Sequence, residues 1–194
     1  MPGTTATPAL LTDAGRLFWA PLASTLPTNT VTASKFTDSW PVAWLSLGAT
    51  DDGSEFTYEI KVEPVRSAEF FDPIKYFTTE RMGSIAFAMQ NFALKNYQYA
   101  LNGGAYTVVS GTTTTQLTSL TPPVPGAEVR AMIGWESLDE TMRIVMFQTI
   151  SSGSIKSKFA KAPNTALIPA EFNFEIPVSP TYPWIMWVAG QARI

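Results

Sequence analysis

Residues 140–175 constrain the fold more than any other part of the chain. From Ala170 to Ile176 the apolar Ala170, Phe172, Phe174 and Ile176 alternate with Glu171, Asn173 and Glu175. Successive side chains on a strand leave opposite faces, so this period of two marks a half-buried strand. Between Met142 and Phe147 the alternation fails, because Met142, Ile144 and Met146 face one way while Val145 and Phe147 face the other. Such a strand meets apolar surface on both faces, as in a sandwich core or a subunit contact. Ile144, Val145, Met146 and Phe147 are therefore candidates for a place at or behind a subunit contact. The two strands are joined by residues 151–164, a Ser/Gly-flanked basic stretch closed by Lys161, Ala162 and Pro163. We read it as a flexible arm with Ser154, Lys156 and Lys158 as candidate contact residues.

The remaining pattern is also β. Residues 9–21 read as a short strand, and residues 26–40, rich in Thr, Ser and Asn, as a long exposed loop or arm. Loops of that length without structure of their own are usually functional or interacting. Asp51, Asp52 and Gly53 read as a turn into a strand from Glu55 to Glu63, in which Phe56, Tyr58, Ile60 and Val62 oppose a charged face. Ser84 to Gln90 reads as a strand running into one helix, Asn91 to Asn102, with Asn91 as N-cap and Gly103 and Gly104 as the stop. Its stripe of Ala93, Leu94, Tyr97, Ala100 and Leu101 would lie on a sheet. The threonine-rich middle reads as a weak strand and then a loop. Glu128 to Glu136 reads as a strand with Val129, Ala131, Ile133 and Trp135 on one face, and residues 137–140 as a hairpin turn.

Residue types argue against chemistry. The chain has no histidine and no cysteine, which removes the commonest general base, thiol nucleophiles, disulfides and thiolate metal sites. Ser154, Lys156, Ser157 and Lys158 suggest a Ser/Lys dyad, but a catalytic lysine needs burial to lower its pKa, and a Gly/Ser-flanked loop does not provide it. The pairs Glu59/Glu63 and Glu171/Glu175 lie about 13 Å apart along one strand, too far for one scissile bond; pairing across strands stays open. Residues 51–55 lack the alternating oxygen ligands of a calcium loop. We expect no enzyme, no cofactor and no metal.

With 194 residues the chain is long enough for one domain, and 45% hydrophobic against only 15% charged residues implies either apolar surface covered by partners or a large core. A net charge of −3 argues against a general nucleic-acid binder. The amino terminus lacks the basic and apolar regions of a secretory signal, and no apolar run approaches the ~20 residues that span a bilayer, so no membrane insertion is expected.

Three segments in order, LGATDDGSEFTYEIKVE at 47–63, SIAFAMQNFALKNYQYALNG at 84–103, and the basic arm with its Lys161-Ala162-Pro163 turn, resemble the major tail tube proteins of long, non-contractile-tailed bacteriophages. The likeness runs from about Trp44 to Glu175 and departs at the tryptophan-rich C-terminus, 182–194, whose role it leaves open. It implies a mainly β subunit, a β-sandwich or half-barrel with one flanking helix and long inter-subunit loops or arms. Such subunits form hexameric rings that stack into a tube, made in the host cytoplasm and residing in the virion tail. Its partners would be further copies of itself, the tape measure protein, tail terminator and distal tail proteins, and viral DNA passing through the lumen without specific binding. Glu55, Glu59, Glu63, Glu128 and Glu136 are the candidates to line that lumen. The alternatives are another virion component, such as a tail terminator or capsid-decorating protein, or a carbohydrate-binding β-sandwich using the six tryptophans as sugar platforms.

Overall fold

The computed structural model describes residues 15–66, 69, 71–111, 116–152, 154–156 and 167–190. Its strands are β1 (Arg16–Pro21), β2 (Val31–Thr32), β3 (Lys35–Phe36), β4 (Leu45–Gly48), β5 (Thr50–Val65) and β6 (Lys75–Met89). After the helix α1 (Leu94–Ala100) come β7 (Ala105–Ser110), β8 (Leu117–Thr121), β9 (Ala131–Glu136), β10 (Met142–Ser151), β11 (Ile168–Phe174) and β12 (Trp184–Val188). The fold is mainly β with one flanking helix, and every strand pairing is antiparallel.

The organising element is β10. One edge pairs with β9; the other pairs first with β12, through Met142 to Met146, and then with β11, through Thr149 to Ser151. The register shift between Met146 and Thr149 lies where the sheet divides. One layer is therefore β4-β1-β9-β10-β12, and the path leaves it through β11, β6 and β5 as a second layer. Between the layers lies the larger core, with Leu17, Ile133, Trp135, Ile144 and Met146 opposite Ile85, Phe87, Met89, Ile168 and Phe172. A second cluster of Ala20, Trp44, Met132, Val145 and Phe147 lies on the outer face of the first layer.

The two-faced reading of residues 142–147 thus has a physical reason inside one chain. Ile144 and Met146 enter the first cluster, Val145 and Phe147 the second, and all four are buried. They stand behind any contact surface and do not form one. The C-terminal tryptophans belong to the same body: β12 completes the layer, with Trp184 against the first cluster and Trp187 against the second.

What covers the second cluster is the segment read as an exposed arm. Residues 24–44 fold back as a strap, placing Leu26, Trp40 and Trp44 on the cluster and burying Phe36. Trp40 stacks on Phe18 at 4.5 Å between ring centroids. A Cβ on Gly134 would come within 2.5 Å of the Trp40 ring, so glycine is what lets the strap lie this close. Its tip, β2 to β3, turns through Ala33 and Ser34 at φ 50° and 63°. That two-residue turn needs positive φ twice and favours Asn-Gly; each L residue with a Cβ costs about 1 kcal/mol there. The double substitution Ala33→Asn, Ser34→Gly should therefore raise thermal stability by about 1 kcal/mol; a melting temperature at or below that of the wild type would show that the turn is not strained.

Other boundaries moved for local reasons. Residues 51–53 lie within β5, at an irregularity in its pairing with β6 between Thr50 and Ser54, and are not a hairpin turn. The helix begins after Ala93 with no side-chain cap. Asn91 instead offers its carbonyl to the Ala93 amide and to Nδ2 of the buried Asn96. Gly103, at φ 115°, follows the helix as expected. The threonine-rich middle is a hairpin, β7 paired with β8, where a weak strand and a loop had been expected. Residues 9–14 and 112–115, and 157–164 of the basic arm with Lys158, lie outside the described residues.

Candidate functional site: an acidic sheet face and a projecting arm

Alternation on the second layer gathers carboxylates on its outer surface. Phe56, Ile85 and Phe172 are cross-strand neighbours turned to the core. One residue along, Glu55, Ala86 and Glu171 form the corresponding row on the opposite face. Further rows on that face are Thr57 with Ser84 and Asn173, Glu59 with Met82, and Lys61 with Glu80. Glu55, Glu59 and Glu63, all exposed, thus share one face with Glu80 and Glu171, and Lys61 is tied to Glu80 at 2.7 Å. That bond raises the Lys61 pKa above its ordinary value.

Glu128 and Glu136 do not join this face. Glu128 precedes β9, and its carboxylate accepts from the Gly126 amide at 3.0 Å; bonds from its own amide and from that of Gly126 hold its pKa below the usual range. Glu136 lies on β9, a strand buried on both faces, and points under the strap. There Arg143 Nε donates to its Oε1 at 2.6 Å, with both side chains almost fully buried. Arg143 also donates through Nη1 to Asn29 Oδ1 at 3.1 Å and through Nη2 to the Asp38 carbonyl, and its guanidinium lies over the Phe36 ring. A lumen role for Glu136 is excluded by that burial: its charge is neutralised inside the chain, where the ion pair fastens the strap.

A cleft of about 500 Å³ runs beside Glu55 and Glu171, with Asp51, Ala86, Pro169 and Ser154 on its walls. This is the cross-strand carboxylate pairing left open by the sequence, spanning two strand spacings, or about 10 Å. None of the six tryptophans lines it. All six are taken up in packing: Trp19 on Tyr99, Trp40 on Phe18, Trp44 and Trp135 buried, Trp184 against Phe56, and Trp187 on the second cluster. Ser154 and Lys156 are both exposed, so the burial a catalytic lysine needs is missing at Lys156. Among the described residues no group of three or more Asp and Glu is placed to hold a metal ion, and no helix is long and apolar enough to cross a membrane.

The second feature had no counterpart in the sequence reading. β5 and β6 stay paired after β11 ends: the last β11 partner on β6 is Ser84, yet pairing continues to Val65 with Lys75. Residues 59–65 and 75–82 therefore project as a two-stranded ribbon of roughly 20 Å. Beside its charged Glu59, Lys61, Glu63 and Glu80 it bears exposed apolar side chains: Ile60, Val62, Tyr76 and Phe77 are each more than half exposed, and Phe71 at the tip is completely so. A two-stranded ribbon without a covering layer is marginal in water. The alternation in β5 showed an apolar face but not that none of the described residues covers its outer half.

Carboxylates elsewhere set the response to acid. Glu175 has its pKa lowered mainly by a hydrogen bond from Gln148, with Arg130 adding to it, and Asp139 by bonds from Ser137 and Thr141. Asp38 is lowered by its bonds from Thr30 within the strap. A folded-state pKa below the unfolded value contributes stability that is present above the unfolded value and is lost as pH falls through the folded one. Since histidine is absent, the melting temperature should stay flat between pH 5.5 and 7 and fall only below about pH 4.5, where unfolded carboxylates begin to protonate. A stability transition between pH 6 and 7 would contradict this.

No protein-family model matches the chain, and no curated protein matches it.

Proposed function

We propose that this chain is the repeating structural subunit of a phage tail tube, assembling as stacked six-membered rings around a channel for genome ejection. The observation that carries the proposal is the β5/β6 ribbon: a body with a closed core extends an arm whose exposed apolar side chains no described residue covers, and a neighbouring subunit supplies the missing cover. Two further features support it. The strand path ends in two edges, β4 and β5, which invite pairing unless something covers them. The outer face bearing Glu55, Glu59, Glu63 and Glu171 is acidic, and carboxylates facing a channel repel phosphate, so DNA slides without sticking. In such a particle the subunit would contact its own copies, the tape measure, terminator and distal tail proteins, and the passing DNA, and would reside in the virion tail. It would have no catalytic activity. The alternative of a sugar-binding module has less support at the acidic cleft beside Glu55 and Glu171, which no tryptophan lines.

Negative-stain microscopy with sedimentation at several concentrations and salt levels tests this reading. Stacked rings or tubes are expected; isolated rings alone would favour a terminator, and a monomer under all conditions would overturn the proposal.

A further inference from the structure

Besides the ribbon, the molecule has an apolar cavity at the end of the sandwich, beside α1. It measures about 340 Å³ and is lined by Trp19, Leu45, Tyr99, Val129 and Phe172, with Lys95 as its one charged lining residue. Its wall is preformed, because Trp19 and Tyr99 stack at 4.3 Å between ring centroids. A cavity of about 150 Å³ already holds a benzene ring. Leu45 at the rim is 45% exposed, so the site opens to the surface.

At the tip of the ribbon stands the complementary shape. Phe71 is completely exposed, with its ring uncovered by the described residues. Among the described residues it shares the tip with Glu69, Asp72, Pro73 and Ile74. The tip thus presents an aromatic ring beside two carboxylates; the cavity presents aromatic walls beside a lysine. Within one chain the two do not meet, because Phe172 pairs with Ile85, ten residues up β6 from Lys75, or about 30 Å of strand.

We propose that Phe71 of one copy inserts into the Trp19/Tyr99 cavity of the next copy, with Glu69 and Asp72 meeting Lys95. This rests on the tube reading and specifies the contact that builds it. A contact between two different patches repeats head to tail and generates a ring or an open filament. Buried aromatic anchors with a charged rim are the usual centre of such an interface. Phe71 is the best-placed anchor because removing it disturbs nothing in the monomer.

The absence of cysteine allows a direct test. A Phe71→Cys, Leu45→Cys double variant, oxidised under assembly conditions, should give a ladder of disulfide-linked oligomers, and neither single variant should. Phe71→Asp should melt like the wild type while raising the concentration needed for assembly at least tenfold. Lys95→Glu should weaken assembly, and adding Asp72→Lys should restore it. If the wild type assembles but the ladder is absent and Phe71→Asp assembles normally, this contact is wrong while the tube reading stands. If the wild type never assembles, both fall.

Discussion

Replacing Arg143 with alanine is expected to cost about 3–5 kcal/mol of folding stability, because it leaves Glu136 as an unpaired charge beneath the strap. For a chain of this length that lowers the melting temperature by roughly 10 °C or more. Both side chains of the pair are at most 5% exposed, so solvent screens little of the loss. The variant also removes the donor to Asn29 and to the Asp38 carbonyl, and the cation over Phe36. The strap should then open more often, and trypsin should cut at the exposed Lys35 faster than in the wild type. Arg143→Met combined with Glu136→Leu removes both charges and should recover most of the melting temperature, since apolar replacement of a buried pair is often neutral or better. The trypsin sensitivity should persist, because the strap's two acceptors stay unmet. An Arg143→Ala protein that melts within about 1 kcal/mol of the wild type would show that the ion pair does not fasten the strap.

Joining Tyr58 to Gly83 through Asn-Gly, which deletes residues 59–82, is expected to leave a folded protein that no longer polymerises. Tyr58 and Gly83 are register partners, and Asn-Gly makes the tight turn that such a pair accepts. The described residues of the deleted ribbon contribute nothing to either core cluster, whereas Phe56 and Trp184, which pack at 5.3 Å, remain. Circular dichroism and melting should match the parent, and sedimentation should show monomer where the parent assembles. Assembly by the shortened chain would remove the arm from the assembly mechanism; loss of folding would show that the arm supports the body.

The strands most readily read from the sequence are those with a core on one side and water on the other. In β11, Ile168, Ala170 and Phe172 face inward while Glu171 faces solvent, and the alternation shows directly. In β10 the lack of alternation was equally informative, since the strand has cores on both sides. β9 misled for the same reason: its flanking Glu128 and Glu136 suggested a charged face, but a glutamate with a buried arginine partner looks in sequence like one in water. The pairing of Glu136 with Arg143 is a cross-strand register, which composition does not reveal. The strap was misread because its inward residues, the buried Pro27, Phe36 and Trp44 and the half-buried Trp40, are spaced by tertiary fit to a sheet face and follow neither a period of two nor one of 3.6. The arm was missed because pattern records which residues are apolar and not whether anything covers them.

The pairing of β1 also has a consequence in time. Trp19 lies opposite Ile133, so the first described strand finds its central partner only after more than a hundred further residues have been made. At synthesis rates of about 5–20 residues per second, β1 and the strap wait roughly 6–20 seconds with Trp19, Trp40 and Trp44 uncovered. Until β9 and β10 arrive there is no sheet for the strap to close upon. The hairpin of β5 and β6 can form early, because its partners are local, whereas the layer that carries Arg143 completes last. Nascent chains are therefore most prone to chaperone capture and misassembly through β1 and the strap, well before the layer that covers them is complete.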